Sequence, residues 1–350
     1  MTEQSPITVL DSLNLGLRKA LQADNHVILL GEDLLDPYGG AFKVTRGLSR
    51  DFPDQVLTTP ISEAGITGIA GGMALRGLRP VVEIMFGDFS TLIADQVINH
   101  LAKFNAMYHG QVNVPVTIRT PMGGRRGYGP THSQTLEKIF LGVPGLTVLA
   151  PFHMQGEGSL GEPGELLYQT ITRLDAPAFF VENKLQYLLK LLTPPELSEY
   201  KVSEYKTAGT ISPPIYRLTL GSAPPSQLTL AAYGYMAHLA MAAMVRLAYE
   251  HEIFCDLLIP TQLAPFDLAP LFESVRNTSR LLTIEEGTLS LGWGSEVLAK
   301  TAENLGSGLK KAGRLAARGS VVPAAPDQEA ACLPDIEDII NQAIEMVRKR

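Results

Sequence analysis

An acid heads a glycine-rich apolar run in this chain: Glu63, with Gly65, Gly68, Gly71 and Gly72 behind it in "TPISEAGITGIAGGMALRG". A carboxylic group aimed into a dry pocket can do proton chemistry at a ligand atom. Close glycines let its helix pack tightly on a neighbour or a ligand. The commoner meaning of Ser-Glu before an apolar run is a helix start, with Ser62 as N-cap and Glu63 in the first turn, favoured by the helix dipole. A cap alone does not require four glycines. A second acid, Glu83, stands inside the strand-like "RPVVEIM" and reads as structural, paired at the sheet end. A third stretch, "TPMGGRRGYGPTHSQ", is a glycine-rich basic loop carrying Arg125, Arg126 and His132. Such a loop can cover a substrate, and it can equally be a solvated surface loop.

The elements that must position these groups alternate. "TVLDSLNLGLRKALQAD" sets Val9, Leu10, Leu13, Leu17 and Leu21 at helical spacing, and "HVILLGED" follows as a buried strand that opens into a loop at Gly31, Glu32 and Asp33. "SEAGITGIAGGMALRG" reads as a helix, "RPVVEIM" as a strand and "STLIADQVINHLAKFNAMYHG" as a long helix. "VPVTIRTP", "GLTVLAP" and "APAFFVE" read as strands, with "GELLYQTITRL" a helix before the last. Strands alternating with helices predict a parallel sheet covered on both faces. Ligands of such sheets bind at the carboxyl ends of the strands, a rule that selects the Glu32 end, the Met85 to Phe89 end and the loop after Thr120. From 191 to 227, "LTPPELSEYKVSEYKTAGTISPP" and "GSAPPSQ" lack sustained periodicity and predict a linker with short extended pieces. A second α/β region follows and closes with the helix "LPDIEDIINQAIEMVRKR". The expected fold class is therefore α/β with two parallel-sheet domains, 1–190 and 228–350, around a 191–227 linker.

The chain has 350 residues, 45% of them hydrophobic, enough for a large core in each of two domains. Aromatic residues make up only 7%, so Leu, Ala, Ile and Val must fill those cores. A net charge of −7 argues against nucleic acid or an anionic membrane as the main partner. Cys255 and Cys332 form no C-x-x-C and read as incidental thiols. The opening "MTEQSPITVLDSLNLG" has no basic stretch followed by an apolar one, and no apolar run reaches membrane-spanning length, so a cytoplasmic protein is expected. Neither G-x-G-x-x-G after a strand nor G-x-x-x-x-G-K-[ST] occurs, and "GDF" lacks the acid-to-Asn spacing of a diphosphate–magnesium site. A diphosphate cofactor, if bound, would have that end held by another chain.

"LGEDLLDPYGGAFKVTRGL", "TPISEAGITGIAGGMALRGLRPVVEIMFGDF", "DQVINHLAKF", "GPTHSQ", "PGLTVLAP", "LDAPAFFVENKLQY" and "IEEGTLSLGWGSEVLA" run in one order over nearly the whole chain. With them the sequence resembles the beta subunit of the thiamine-diphosphate-dependent 2-oxo acid dehydrogenases, the decarboxylating first component of the pyruvate, branched-chain 2-oxo acid and acetoin complexes. The resemblance implies a transketolase-like pyrimidine-binding domain followed by a transketolase C-terminal domain. It implies an α2β2 heterotetramer with thiamine diphosphate at the α/β contact and magnesium held by the alpha subunit. It also implies a 2-oxo acid substrate and an acyltransferase partner bearing a lipoyl domain.

The same resemblance assigns residues. Glu63 hydrogen-bonds the ring nitrogen of the aminopyrimidine and favours the imino tautomer that activates the thiazolium carbon. To donate there it must hold a proton, and Ile61, Ile66 and partner residues are expected to dry its surroundings. Phe89 stacks on the ring and Met85 lies beside it. His132 orients the substrate carboxylate or shuttles a proton during acyl transfer. Outside that assignment, Arg125 and Arg126 either meet an anionic substrate or an acidic carrier domain, or simply sit in water. A potassium ion is implied on backbone carbonyls near Ile171, Thr172, Leu174 and Ala176. Two stretches depart from the family pattern: "HMQGEGSLGEPGELLYQ" reads as a surface loop insertion, and "RLAARGSVVPAAPDQEAACLPD" keeps only the family outline. These departures fit a specialised relative, such as one serving biosynthesis. A non-catalytic scaffold or docking subunit, and a transketolase or acyloin-forming relative, are the alternatives.

Overall fold

Thr8 opens the first helix, α1 (Val9–Ala23), through a capping box. Its hydroxyl accepts from the Asp11 amide at 3.2 Å while the Asp11 carboxylate accepts from the Thr8 amide at 3.0 Å. The structure, a computed structural model, describes residues 7–156, 158 and 160–348. Glu157 and Ser159 of the expected insertion, and Lys349 and Arg350 of the expected basic last turn, lie outside the described residues. The chain divides into two units: one of Met1–Met122, Ile139–Leu192 and Ala208–Ile211, the other of Gly123–Lys138, Thr193–Thr207 and Ser212–Arg350.

In the first unit α1 is followed by β1 (Val27–Gly31), α2 (Leu48–Asp51), β2 (Val56–Thr58), α3 (Glu63–Leu75) and β3 (Arg79–Glu83). Then come a 3-10 turn (Gly87–Phe89), α4 (Ser90–Asp95), a π-helical segment (Gln96–Leu101) and α5 (Ala102–Met107). β4 (Thr117–Met122), β5 (Thr147–Leu149), α6 (Gly161–Arg173) and β6 (Ala178–Asn183) complete it. The strands lie in the order β5-β6-β4-β3-β1-β2, every pairing parallel. Leu29, Val81 and Phe180 project from the sheet into one core with Leu13 and Leu17 of α1 and Leu167 and Ile171 of α6. Alternation along the strands turns Leu30 and Val82 to the opposite face, and α3 packs along β3.

The α1–α6 crossing is made by glycines. A Cβ on Gly164 would stand 2.1 Å from the Ser12 carbonyl oxygen, and one on Gly16 would stand 2.4 Å from that of Gly164. The Ser12 hydroxyl locks the approach, accepting from the Gly164 amide at 2.8 Å and donating to the Leu160 carbonyl. Gly161, Glu162 and Pro163, expected in a surface insertion ahead of the helix, are instead buried in the first turn of α6. The Glu162 carboxylate there accepts from the Phe152 amide at 2.8 Å. Glycine and proline chosen for close helix packing have the composition of a loop, which accounts for the misreading.

The second unit holds β7 (Tyr200–Lys206), β8 (Pro214–Leu220), β9 (Leu228–Ala232), α7 (Gly234–His251), β10 (Cys255–Pro260) and the short β11 (Gln262–Ala264). α8 (Ala269–Thr278), β12 (Arg280–Thr288), α9 (Trp293–Leu305), β13 (Lys311–Ala317), α10 (Pro326–Cys332) and α11 (Ile336–Arg348) follow. Its sheet runs β13-β12-β9-β10-β8-β7. The four strands from β13 to β10 are parallel as expected. The 191–227 stretch, read as a linker, adds a two-strand antiparallel edge: β8 pairs with β10, and β7 with β8. The loop 123–138, expected with the first domain, clusters with this unit. Both cysteines are free. Among the described residues no helix is long and apolar enough to cross a membrane.

Candidate active site

β1 has β2 on one side and β3 on the other, so the chain changes direction across the sheet between β1 and β3. In parallel α/β sheets this switch point, at the carboxyl ends of the strands, is where ligands bind. Glu32 leaves the end of β1, Glu63 opens α3 after β2, and Met85 to Phe89 follow β3. Glu63 is 8% exposed and Glu32 5%. Ser62 stands at the N-cap of α3, but its hydroxyl makes no capping bond. The nearby Glu32 carboxylate has an Oε1 with no partner among the described residues. Burial first, and then the charge of Glu63, pushes the Glu32 carboxyl above the ordinary glutamate range, against the lowering effect of the Ser62 N–H.

Of the two residues expected to dry Glu63, Ile66 is buried at 4% but Ile61 is 83% exposed. Ile61 precedes the helix and is turned to solvent, so it does not dry Glu63 within this chain. The glycines of α3 serve different neighbours. A Cβ on Gly71 would meet the Leu101 side chain at 2.8 Å and one on Gly68 the Gln96 carboxamide at 3.1 Å. Gly65 lies under the Ser62 hydroxyl, 2.7 Å from where a Cβ would sit, and Gly72 meets nothing within 4 Å.

Met85 and Phe89 are both half-buried. Gly87 fixes the turn between them, since a Cβ there would fall 2.4 Å from the Met122 side chain. Phe86 packs edge-on to Phe89 at 5.7 Å and to Phe42 at 5.5 Å, an aromatic row at the end of β3.

Behind this row, one guanidinium serves two carboxylates. Arg119 donates through Nε and Nη2 to Glu182 at 2.7 and 2.6 Å and through Nη1 to Glu83, and the Tyr187 hydroxyl donates to Glu182 at 2.6 Å. Burial opposes the Arg119 charge, but Glu182 and Glu83 outweigh it and hold the group protonated. Burial pushes the Glu83 carboxyl up, with Arg119 pulling the other way. Glu83 is thus the paired structural acid that its strand position suggested.

In the second unit His132 is half-buried, with its Nδ1 2.9 Å from the Thr131 hydroxyl. Arg125 donates to the Pro334 carbonyl, whereas Arg126 is exposed, its guanidinium 5.9 Å from the Tyr128 ring centre. Glu137, at the loop's far end, accepts from the Tyr233 hydroxyl at 2.6 Å. Glu285 accepts from the Trp293 and Gly294 amides at 2.8 and 2.9 Å at the start of α9. Burial and then Glu137 push the Glu285 carboxyl up to about 7.

The segment carrying Ile171, Thr172, Leu174 and Ala176 lies in the first unit, between α6 and β6. The carbonyls of Ile171 and Leu174 converge on a cation supplied by the chain itself: Arg79 donates to them at 2.6 and 2.7 Å. The Thr172 hydroxyl donates to Tyr168 O at 2.7 Å.

Comparison with known proteins fits this geometry. Residues 5–188 match the family model "Transketolase, pyrimidine binding domain" and residues 222–339 the model "Transketolase, C-terminal domain". The chain is 35% identical to the pyruvate dehydrogenase E1 component subunit beta-1, mitochondrial, of Arabidopsis thaliana, over 96% of this chain and 88% of that protein. The chain belongs to the 2-oxo acid dehydrogenase E1 beta-subunit family. A further member of similar likeness is the pyruvate dehydrogenase E1 component subunit beta of Leifsonia xyli, 34% identical over 96% of this chain and 93% of that one. The acetoin:2,6-dichlorophenolindophenol oxidoreductase subunit beta of Bacillus subtilis is 32% identical over 97% of each chain. Among solved structures, a split-gene transketolase in its inactive beta4 tetramer shares the fold, with a TM-score of 0.70, 17% identity and 98% of this chain covered. Within this E1 beta chain the sequence marks Glu32 only as an acid at a strand end. Its place beside Glu63 emerges from the parallel pairing of β1 with β2 and β3.

Proposed function

We propose that this E1 beta chain grips the aminopyrimidine end of thiamine diphosphate while an alpha subunit holds the diphosphate and magnesium, the two forming an α2β2 heterotetramer that decarboxylates a 2-oxo acid. The observation that carries the reading is two buried carboxyls, Glu32 and Glu63, at the switch point of a parallel sheet, near enough for their charges to interact. The residues fit the ring: the unpartnered Glu32 oxygen and a half-buried aromatic, Phe89, border the same strand ends. Thiamine diphosphate, when bound, supplies the electron sink for loss of the carboxylate. Glu63 holds the proton at the ring nitrogen. Glu32 offers a second carboxyl group to the polar edge of the ring. Phe89 and Met85 orient the ring. His132 moves a proton as the acyl group passes to the lipoyl domain of an acyltransferase, and exposed Arg126 meets anionic groups on that partner. Two of the four carbonyls expected to hold potassium already serve Arg79, and no step is derived through that ion.

The test is Glu63→Gln and Glu63→Ala in the enzyme reconstituted with its alpha subunit. Loss of one positioned acid is expected to lower decarboxylation by roughly 10²–10⁴-fold, with circular dichroism unchanged. Turnover retained in both variants would remove the assignment. A chain that only scaffolds its partner would also leave the affinity for thiamine diphosphate unaltered in these variants.

A further inference from the structure

The glycine-rich loop that carries His132 is tied down by two carboxylates that the proposed chemistry does not use. Glu329 of α10 is 3% exposed, and its two oxygens accept from the backbone amides of Arg125 and Gly127 at 2.8 and 3.0 Å. Glu286 of β12 accepts from the Gly124 amide at 2.7 Å. The loop is shaped for this. Gly123, Arg125, Gly127 and Gly129 all adopt positive φ, at 96°, 65°, 69° and 76°, and backbone that alternates in this way turns successive N–H groups toward a common anion. Its glycines are close-packed against the same stretch of chain. A Cβ on Gly124 would meet the Leu333 side chain at 2.6 Å, and one on Gly129 the Ala324 side chain at 3.3 Å. The Arg125 guanidinium is committed to the Pro334 carbonyl. Surface loops ordinarily give their amides to water; here three amides are given to buried carboxylates, bonds of the stronger, charge-assisted kind. What the anchored loop presents outward is Arg126, Tyr128, Thr131 and half-buried His132.

We infer that Glu329 is the positioning residue of this loop: it fixes the backbone from Arg125 to Gly127 and so holds Arg126 and His132 in one presentation. The consequence for turnover rests on the role proposed for His132; the consequence for loop order does not. The experiment is limited trypsin digestion of the two-subunit enzyme, comparing wild type with Glu329→Gln and Glu329→Ala, and reading cleavage after Arg125 and Arg126 against cleavage elsewhere. Cleavage in the loop is expected to quicken at least about tenfold in Glu329→Ala. It should quicken less in Glu329→Gln, which keeps one acceptor oxygen and also serves if the alanine variant fails to fold. Loop cleavage no faster than wild type in a folded variant overturns the inference. Lipoyl-dependent turnover should fall in Glu329→Gln and fall no further when that change is added to His132→Ala. Faster cleavage with unchanged turnover keeps Glu329 as the anchor and removes His132 from the chemistry.

Discussion

Two buried groups of acids show how this chain treats charge at the scale of a side chain. Glu83 and Glu182 share Arg119, and each of its three guanidinium nitrogens donates to one of them. Removing the arginine would strand two carboxylates, a loss on the order of 3–5 kcal/mol for a broken buried pair. For Glu32 and Glu63 no ion-pair partner is found among the described residues, and the charge of one bears on the other. Two ionised carboxyls there repel each other, the kind of arrangement that active sites hold. It has a measurable sign. The Glu32 carboxyl titrates above the ordinary value of 4.5 because burial, and then Glu63, disfavour its ionised form. The folded chain keeps that proton to higher pH than the unfolded chain does. The stabilisation it brings is fully present below the unfolded value and is lost as pH rises through the raised one. Glu32→Gln removes this loss, so the melting temperature of the variant minus that of wild type should grow as pH rises above the ordinary glutamate value of 4.5. A difference that stays flat over that range would show that Glu32 ionises in the folded chain as it does in water.

Among the elements, the helices are placed by what their sequences omit. α1 and α6 can cross at backbone distance only because Gly16 and Gly164 face each other with the Ser12 hydroxyl between them. Glycine inside a helix is unfavourable by roughly 1 kcal/mol relative to alanine, so the usual expectation for Gly164→Ala is a gain. Here the added methyl would lie 2.1 Å from a backbone oxygen of α1, and backbone cannot swing aside as a side chain can. The expected result is a net destabilisation of at least about 1–3 kcal/mol, the range for overpacked cores, read by denaturant unfolding. A variant as stable as wild type would mean that α1 is free to slide. Gly72→Ala is the control, because nothing lies within 4 Å of a Cβ there. The same logic explains what the sequence conceals at this scale. Helical periodicity places α1 and α3, which each bury one face, and short apolar runs place β1 and β3, which are buried on both faces. The start of α6 is hidden because "GEPGE" satisfies a neighbour, not a period. β7 is hidden because it is an edge strand, flanked by prolines and bearing Lys201 and Lys206, residues that edges tolerate and central strands do not.

For the molecule as a whole, the legible part is what short range determines and the illegible part is what distant segments share. Glu63, Met85 and Phe89 stand out in their own motif. The companion acid Glu32 comes from another strand, and the anchor Glu329 lies 204 residues from Arg125, so no local spacing announces either. The chain also displays what it lacks. Beside the Glu63 end of the first unit, Ile61 is 83% exposed, Ile69 of α3 63% and Leu92 of α4 54%, while the helix between them shows an open Gly72. Isolated apolar side chains on a surface are ordinary, but several on and around α3 and α4 are what a partner surface would cover. If an alpha subunit covers this face and completes the cofactor site, a charge at its centre should cut assembly without unsettling the fold. Ile69→Asp is therefore expected to shift the stability of the isolated chain by no more than about 0.5 kcal/mol, as exposed substitutions do, and to leave it unassembled in a size-exclusion run with the alpha subunit. Thiamine diphosphate titrated into that mixture should then bind no better than to either chain alone. Normal assembly of Ile69→Asp would place the alpha subunit on another face.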